Sequence, residues 1–154
     1  MKTANYANIL IGVDGSKNAR KAFDRSVLIA KHNCATLHIL GVINDREVMG
    51  ISKYAMLGFG NISPNAVDDL KVKISKLVDK YASLAEQAGI KVKTYIVLGD
   101  PRIQLAQKVA DQVKADAVVI GATGVNAISR FTLGSTTSFV VSYSKRDVFV
   151  IRNN

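Results

Sequence analysis

The 154-residue chain predicts a doubly wound α/β fold, a single open five-stranded parallel sheet with helices on both faces. Three observations lead there. Strand-like and helix-like segments alternate strictly along the sequence, which implies parallel strands joined by right-handed crossovers. The strand segments include short, wholly apolar runs such as Ile9-Leu10-Ile11 and Ala117–Ile120, as expected for strands buried on both faces. The helix segments carry apolar residues at a 3.6-residue period.

The first strand, Ile9-Leu10-Ile11-Gly12-Val13, stops at Asp14-Gly15-Ser16, a turn in which Ser16 or Asp14 can cap the next helix. Ala19, Ala22, Phe23, Ser26, Val27 and Ala30 form the inner stripe of that helix. Thr36–Ile43 is the second strand. From Asp45 to Asn65 the periodicity fails, because Gly50, Gly58, Gly60 and Pro64 interrupt Met49, Tyr54, Met56 and Phe59. The stretch reads as a mobile cover at the mouth of a cleft, although a short helix around Lys53–Leu57 also fits. The longest helix, about Ala66–Ala88, ends at Gly89, a residue suited to a left-handed cap.

Ile90–Leu98 alternates, with Lys91, Lys93 and Tyr95 on one side, the pattern of an edge strand guarded by lysines. Gly99-Asp100-Pro101 opens the third helix, with Asp100 as N-cap and Pro101 at the first helical position. Its inner residues are Ile103, Leu105, Ala106, Val109, Ala110 and Val113. Ala117–Ile120 is the fourth strand. A Gly/Ser/Thr-rich loop, a helix through Phe139, Val140 and Tyr143, and a last strand, Val148–Ile151, complete the order.

Apolar residues make up 48% of the chain and charged residues 21%, ordinary values for one globular domain spanning 1–154. No apolar run is long enough to cross a membrane, and the first residues do not read as a signal peptide. The single cysteine, Cys34, forms no internal disulfide and fits a reducing, cytoplasmic setting; it reads as a buried or semi-buried thiol. The net charge of +9 favours some anionic contact. The lysines are spread, at Lys71, Lys73, Lys76, Lys80, Lys91, Lys93 and Lys145, which reads as a solvated basic surface. A nucleic-acid partner is not expected on that pattern.

In such sheets ligands bind beyond the carboxyl ends of the strands, where the strand order reverses. That rule selects Asp14, Val42 to Arg46, and the loop after Ile120. The loop reads Gly121-Ala122-Thr123-Gly124, then nine residues, then Gly134-Ser135-Thr136-Thr137 opening a helix. Glycines let backbone N–H groups approach an oxyanion, and a helix N-terminus adds unpaired donors with a favourable dipole. Hydroxyls at Ser135, Thr136 and Thr137, with Arg130 inside the loop, complete a phosphate-binding pattern. A carboxylate at Asp14 suits ribose or amine recognition, a role compatible with capping. His32 sits near a helix end and His38 reads as a packed strand residue. No zinc, dithiol, nucleophile-elbow or P-loop spacing is present.

Gly121-x2-Gly124-x9-Gly134-Ser135 resembles the nucleotide signature of the universal stress protein family, in its ATP-binding branch. Ile9–Ser16, Leu37–Ile43, Gly99-Asp100-Pro101 and Val148–Arg152 resemble further parts of that family, so the likeness spans nearly the whole chain. The resemblance implies an adenine nucleotide alpha hydrolase-like fold with strand order 3-2-1-4-5. It implies that Asp14 bonds the adenine or ribose and that the Val42 backbone holds the adenine edge. Gly121 and Gly124 then line the ribose and phosphates, while Gly134, Ser135 and Thr136 grip the phosphate tail. The ligand is ATP, ADP or AMP, with Mg2+ beside a triphosphate. It further implies a homodimer through Val148–Ile151 and a sensor or switch acting in stress, with no catalytic residue assigned. A slow ATP hydrolase is the alternative, ahead of a basic nucleic-acid-associated protein. This chain departs from many relatives in having Gly41 where they have histidine, and Asp147 where they have proline.

Overall fold

The computed structural model describes residues 5–58, 65–124 and 132–152, with the backbone alone at Ala55. β1 (Asn8–Val13), β2 (Thr36–Asn44), β3 (Lys91–Gly99), β4 (Ala117–Gly121) and β5 (Asp147–Ile151) form one sheet. Its order is β3-β2-β1-β4-β5 and every pairing is parallel. The order reverses between β1 and β4, so the carboxyl ends of those two strands flank the switch point.

Alternation along the strands divides the core into two layers. Ile9, Ile11, Val13, Leu37, Ile39 and Val119 pack under α1 (Lys17–Asn33) and α3 (Ala66–Gln87). Leu10, Leu40, Val118 and Ile120 face the opposite layer. That layer is α4 (Pro101–Ile103), a π-helical turn (Gln104–Lys108), α5 (Val109–Gln112) and α6 (Ser135–Tyr143). The π turn lets Gln104, Leu105 and Ala106 all be buried in succession, which one face of a regular α-helix does not permit. Gly41 is a packing position: a Cβ there would lie 2.6 Å from Ile74 Cγ2 and 2.7 Å from Val78 Cγ2. Helix α3 sits down on the sheet where β2 has no side chain.

Two expectations need correction. Asp45–Met56 is a helix, α2, that leaves β2 with no intervening loop. Asn44 Oδ1 accepts from Arg46 N at 3.0 Å, and Asp45 and Glu47 stand in the first turn, where the helix dipole favours acids. Gly50 within it and the exposed Met49 and Tyr54 hide the inner positions Val48 and Ile51 from a periodicity reading. Residues 59–64 of the expected loop, Phe59, Gly60 and Pro64 among them, lie outside the described residues. Cys34 is exposed, because it is the residue that ends α1 in a left-handed conformation, φ 53°, outside the helix's inner stripe. Gly89 plays the expected part after α3, with φ +80° and Ile90 N bonded back to Ala85 O at 3.0 Å.

Candidate functional site

The register sets the site. Val13 pairs with Gly41, so Asp14 emerges from β1 level with Val42 on β2. Val42 is half-buried and packs toward the α4–α6 layer, while Asp14 is exposed. Asp14 Oδ1 accepts from Ser16 N at 2.9 Å, and the Ser16 hydroxyl in turn accepts from Ala19 N at 3.0 Å. Ser16 is therefore the cap of α1. Asp14 shapes the turn and keeps its second oxygen facing the neighbouring loop.

That loop comes from β4. A Cβ on Gly124 would lie 3.0 Å from Asp14 Oδ2, so the glycine backbone runs directly beside the carboxylate. Gly134 N donates to Ala122 O at 2.8 Å, and a Cβ on Gly134 would stand 3.3 Å from Thr123 Cα. The two ends of the glycine signature are thus in contact although the intervening residues 125–131, Arg130 among them, lie outside the described residues. Gly134 stands at the N-cap of α6 with no side-chain bond to the helix's first N–H groups. Among the described residues the first N–H groups of the nine-residue α6 have no side-chain partner, and its positive dipole end stands beside Gly124. Ser135 is exposed and Thr136 half-buried at this terminus.

Two signature residues face inward instead. Gly121 is a packing residue: a Cβ there would lie 2.8 Å from both the carbonyl carbon and the Cβ of Asn18 in the first turn of α1. Thr137, expected as a ligand donor, is buried and its hydroxyl donates to Gly121 O at 2.7 Å. Position 137 lies on the inner face of α6, which the sequence of three consecutive hydroxyl residues does not reveal.

The structure also adds residues that the sequence did not single out. Asn18 Nδ2 donates to the Thr123 hydroxyl and ties α1 to the glycine loop, while its buried Oδ1 has no partner among the described residues. The available signal was its place four residues beyond Asp14, one helical turn along. At the end of β3, Asp100 takes two bonds from Arg102 Nε at 3.0 and 3.1 Å, and Arg46 approaches to 3.8 Å. The Arg102 guanidinium holds the Asp100 carboxyl below the usual carboxylate range and lies 5.6 Å over the Phe139 ring of α6. Two surface clefts, of about 660 Å³ by Asp79 and Lys93 and about 560 Å³ between α2 and α3, contain none of the site residues.

A family model described as the universal stress protein family matches residues 5–152. The chain belongs to the universal stress protein family. A Staphylococcus aureus (strain USA300) protein bearing the universal stress protein name is 35% identical over 148 residues, covering 96% of this chain and 84% of the relative. Among solved structures, universal stress protein UspA from Lactobacillus plantarum is 29% identical with a TM-score of 0.69, covering 97% of this chain and 100% of that one. A universal stress protein solved in complex with cAMP is 27% identical with a TM-score of 0.69, covering 97% and 98%. Both solved structures share the α/β fold of this chain.

Proposed function

We propose that this universal stress protein binds an adenine nucleotide, ATP first, at the carboxyl end of its sheet and works as a nucleotide-dependent switch in stress. The observation that carries the reading is the glycine-capped N-terminus of α6 lying against Gly124, itself beside Asp14. Backbone donors with no Cβ in front of them suit phosphate oxygens, and a carboxylate alongside suits the hydroxyls of a ribose. The cAMP complex of a relative supports an adenine nucleotide as the ligand class. In this reading Asp14 takes the ribose or base and the Val42 backbone takes the adenine edge. Gly124, Gly134, Ser135 and Thr136 hold the phosphates, and Gly121 supports them from behind.

Among the described residues no cluster of three or more acidic, histidine or cysteine side chains could hold a metal alone. Mg2+ would therefore arrive on the triphosphate, with Asp14 the nearest carboxylate. Extraction of nucleotide from the purified protein, followed by calorimetry with ATP, ADP, AMP and cAMP, tests the assignment. Recovered adenine nucleotide or saturable heat supports it, and an empty protein with no heat for any of the four rejects it.

The same family reading proposes a homodimer through β5. Val148 to Ile151 are uncharged and half-buried at the last position of the sheet, a poor edge to leave open in water. Pairing with a second copy would satisfy the strand's free backbone groups in a two-fold interface. Light scattering should give a dimer for the native chain and a monomer for Val150→Lys. A native monomer at micromolar concentration removes the interface.

A further inference from the structure

The +9 surplus is not evenly distributed. On α3, Lys71, Lys73, Lys76 and Lys80 are balanced by Asp68, Asp69, Asp79 and Glu86 on the same helix, and Lys71 pairs with Asp68 at 3.6 Å. On α1, five exposed cations, Lys17, Arg20, Lys21, Arg25 and Lys31, face one acid, Asp24, a surplus of four. Asp24 is taken by Arg20 at 3.1 Å, and the Arg20 guanidinium also lies 5.9 Å over Tyr81 of α3. Lys17, Lys21, Arg25 and Lys31 have no carboxylate partner among the described residues.

At 100° per residue these four side chains share an arc of about 120°, and Lys17 to Lys31 spans about 21 Å along the axis. At the amino end the placement runs against local helix preference, whereas Lys31 in the last turn suits the dipole. No acid stands in the first turn of α1, and Lys17 sits at the positive end of the dipole, where a cation is disfavoured. A strip of cations without a carboxylate partner among the described residues is complementary to an extended anion, longer than a single nucleotide.

We propose that the outer face of α1 is a docking surface for the phosphate backbone of duplex nucleic acid, read without regard to sequence. Cations at residues 17, 21 and 25 recur about every 6 Å, on the scale of the distance between neighbouring phosphates along one strand. A lipid surface fits less well, because Leu28, 58% exposed, is the one large apolar side chain standing out on this face. A single strand fits less well because the exposed face carries no Phe, Tyr or Trp, only the small ring of His32, for bases to stack on.

The test is fluorescence anisotropy of a labelled 20-base-pair duplex of mixed sequence, titrated with the full chain at a series of salt concentrations. Four phosphate contacts predict that log K falls against log salt with a slope of about −3 to −4. Lys21→Glu with Arg25→Glu should lower duplex affinity at least tenfold at low salt. Lys73→Glu with Lys76→Glu on α3 makes the same charge change and should leave affinity within about twofold. Equal losses from the two pairs would overturn the surface, as would no binding by the native chain at about 20 mM salt. Tighter binding to phosphatidylserine vesicles than to duplex would overturn the choice of partner. Circular dichroism and thermal melting of both variants confirm that each keeps its fold, and nucleotide binding, which uses other residues, is a separate readout.

Discussion

At the amino end of the sheet, Asp116 accepts from the backbone N–H groups of Ala7 and Asn8, both at 2.8 Å. Near it the buried His38 ring lies between Asn8 Oδ1 and the Tyr95 hydroxyl, each at 3.0 Å, and the Tyr6 hydroxyl donates to Asp147 at 2.8 Å. At the carboxyl end the chain does the reverse, leaving the first donors of α6 without a side-chain cap and the second oxygen of Asp14 facing a glycine backbone. The histidine, the tyrosines and the bridging carboxylates all stand where their bonds are already used. Chemistry-bearing residue types are thus a poor guide to the site in this fold. Backbone donors left without a side-chain cap among the described residues, beside glycine, are a better one.

The contrast can be broken most forcefully at Gly121, the glycine of the carboxyl end that acts as packing. Gly121→Val would drive a branched side chain into the first turn of α1, 2.8 Å away, and should cost about 3 kcal/mol in urea unfolding. A cost below about 1 kcal/mol would show that α1 does not press on β4 there. Gly134→Val should behave differently. Its φ of −63° is open to any residue and its added Cβ would meet Thr123 Cα at 3.3 Å, so stability should fall less than at Gly121 while ATP affinity falls by about 1–3 kcal/mol in calorimetry. Unchanged affinity would remove α6 from the site.

The amino end gives the opposite pattern. Asp116→Ala leaves two strand-entry N–H groups without their acceptor and should lower stability by about 1–2 kcal/mol, with ATP affinity unchanged. The smallest effect is expected at His38. Burial, aided by the Lys93 charge, pushes its imidazole below the ordinary 6.5, so the unfolded chain binds the proton more readily than the folded one. Stability from this group is complete above about pH 6.5 and is lost as pH falls from there through the lower folded value. His38→Gln should flatten that part of the stability–pH curve, and an unchanged curve would assign the acid sensitivity elsewhere.

Much of this was legible before the structure because the relevant signals are local. A strand buried on both faces must be apolar, and a glycine signature sits within a short span of chain, so the element order, the parallel sheet and the position of the loop all follow. What stayed hidden depends on distant pairings. Asn18 meets Thr123 across 105 residues, and His38 meets Tyr95 across 57, with nothing in either neighbourhood to announce the partner. The exposed Cys34 adopts a left-handed cap that glycine or asparagine usually fills. Helix α2 was obscured because the side chains it leaves in solvent, Met49 and Tyr54, resemble those a helix normally buries.

The reversal of strand order between β1 and β4 also governs when the molecule can acquire its site. Residues 8–44 contain two adjoining strands and the helix between them, contacts that close over short loops. The other flank of β1 stays open until a strand more than a hundred residues downstream arrives, as the 108-residue separation of Asn8 and Asp116 records. Closing that distance is the entropically expensive step, and it is the same step that brings Gly124 against Asp14. Ligand competence is therefore acquired late in assembly. A chain caught before β4 has docked would expose one side of its central strand, and a nucleotide that favours the docked form would draw such chains through to completion.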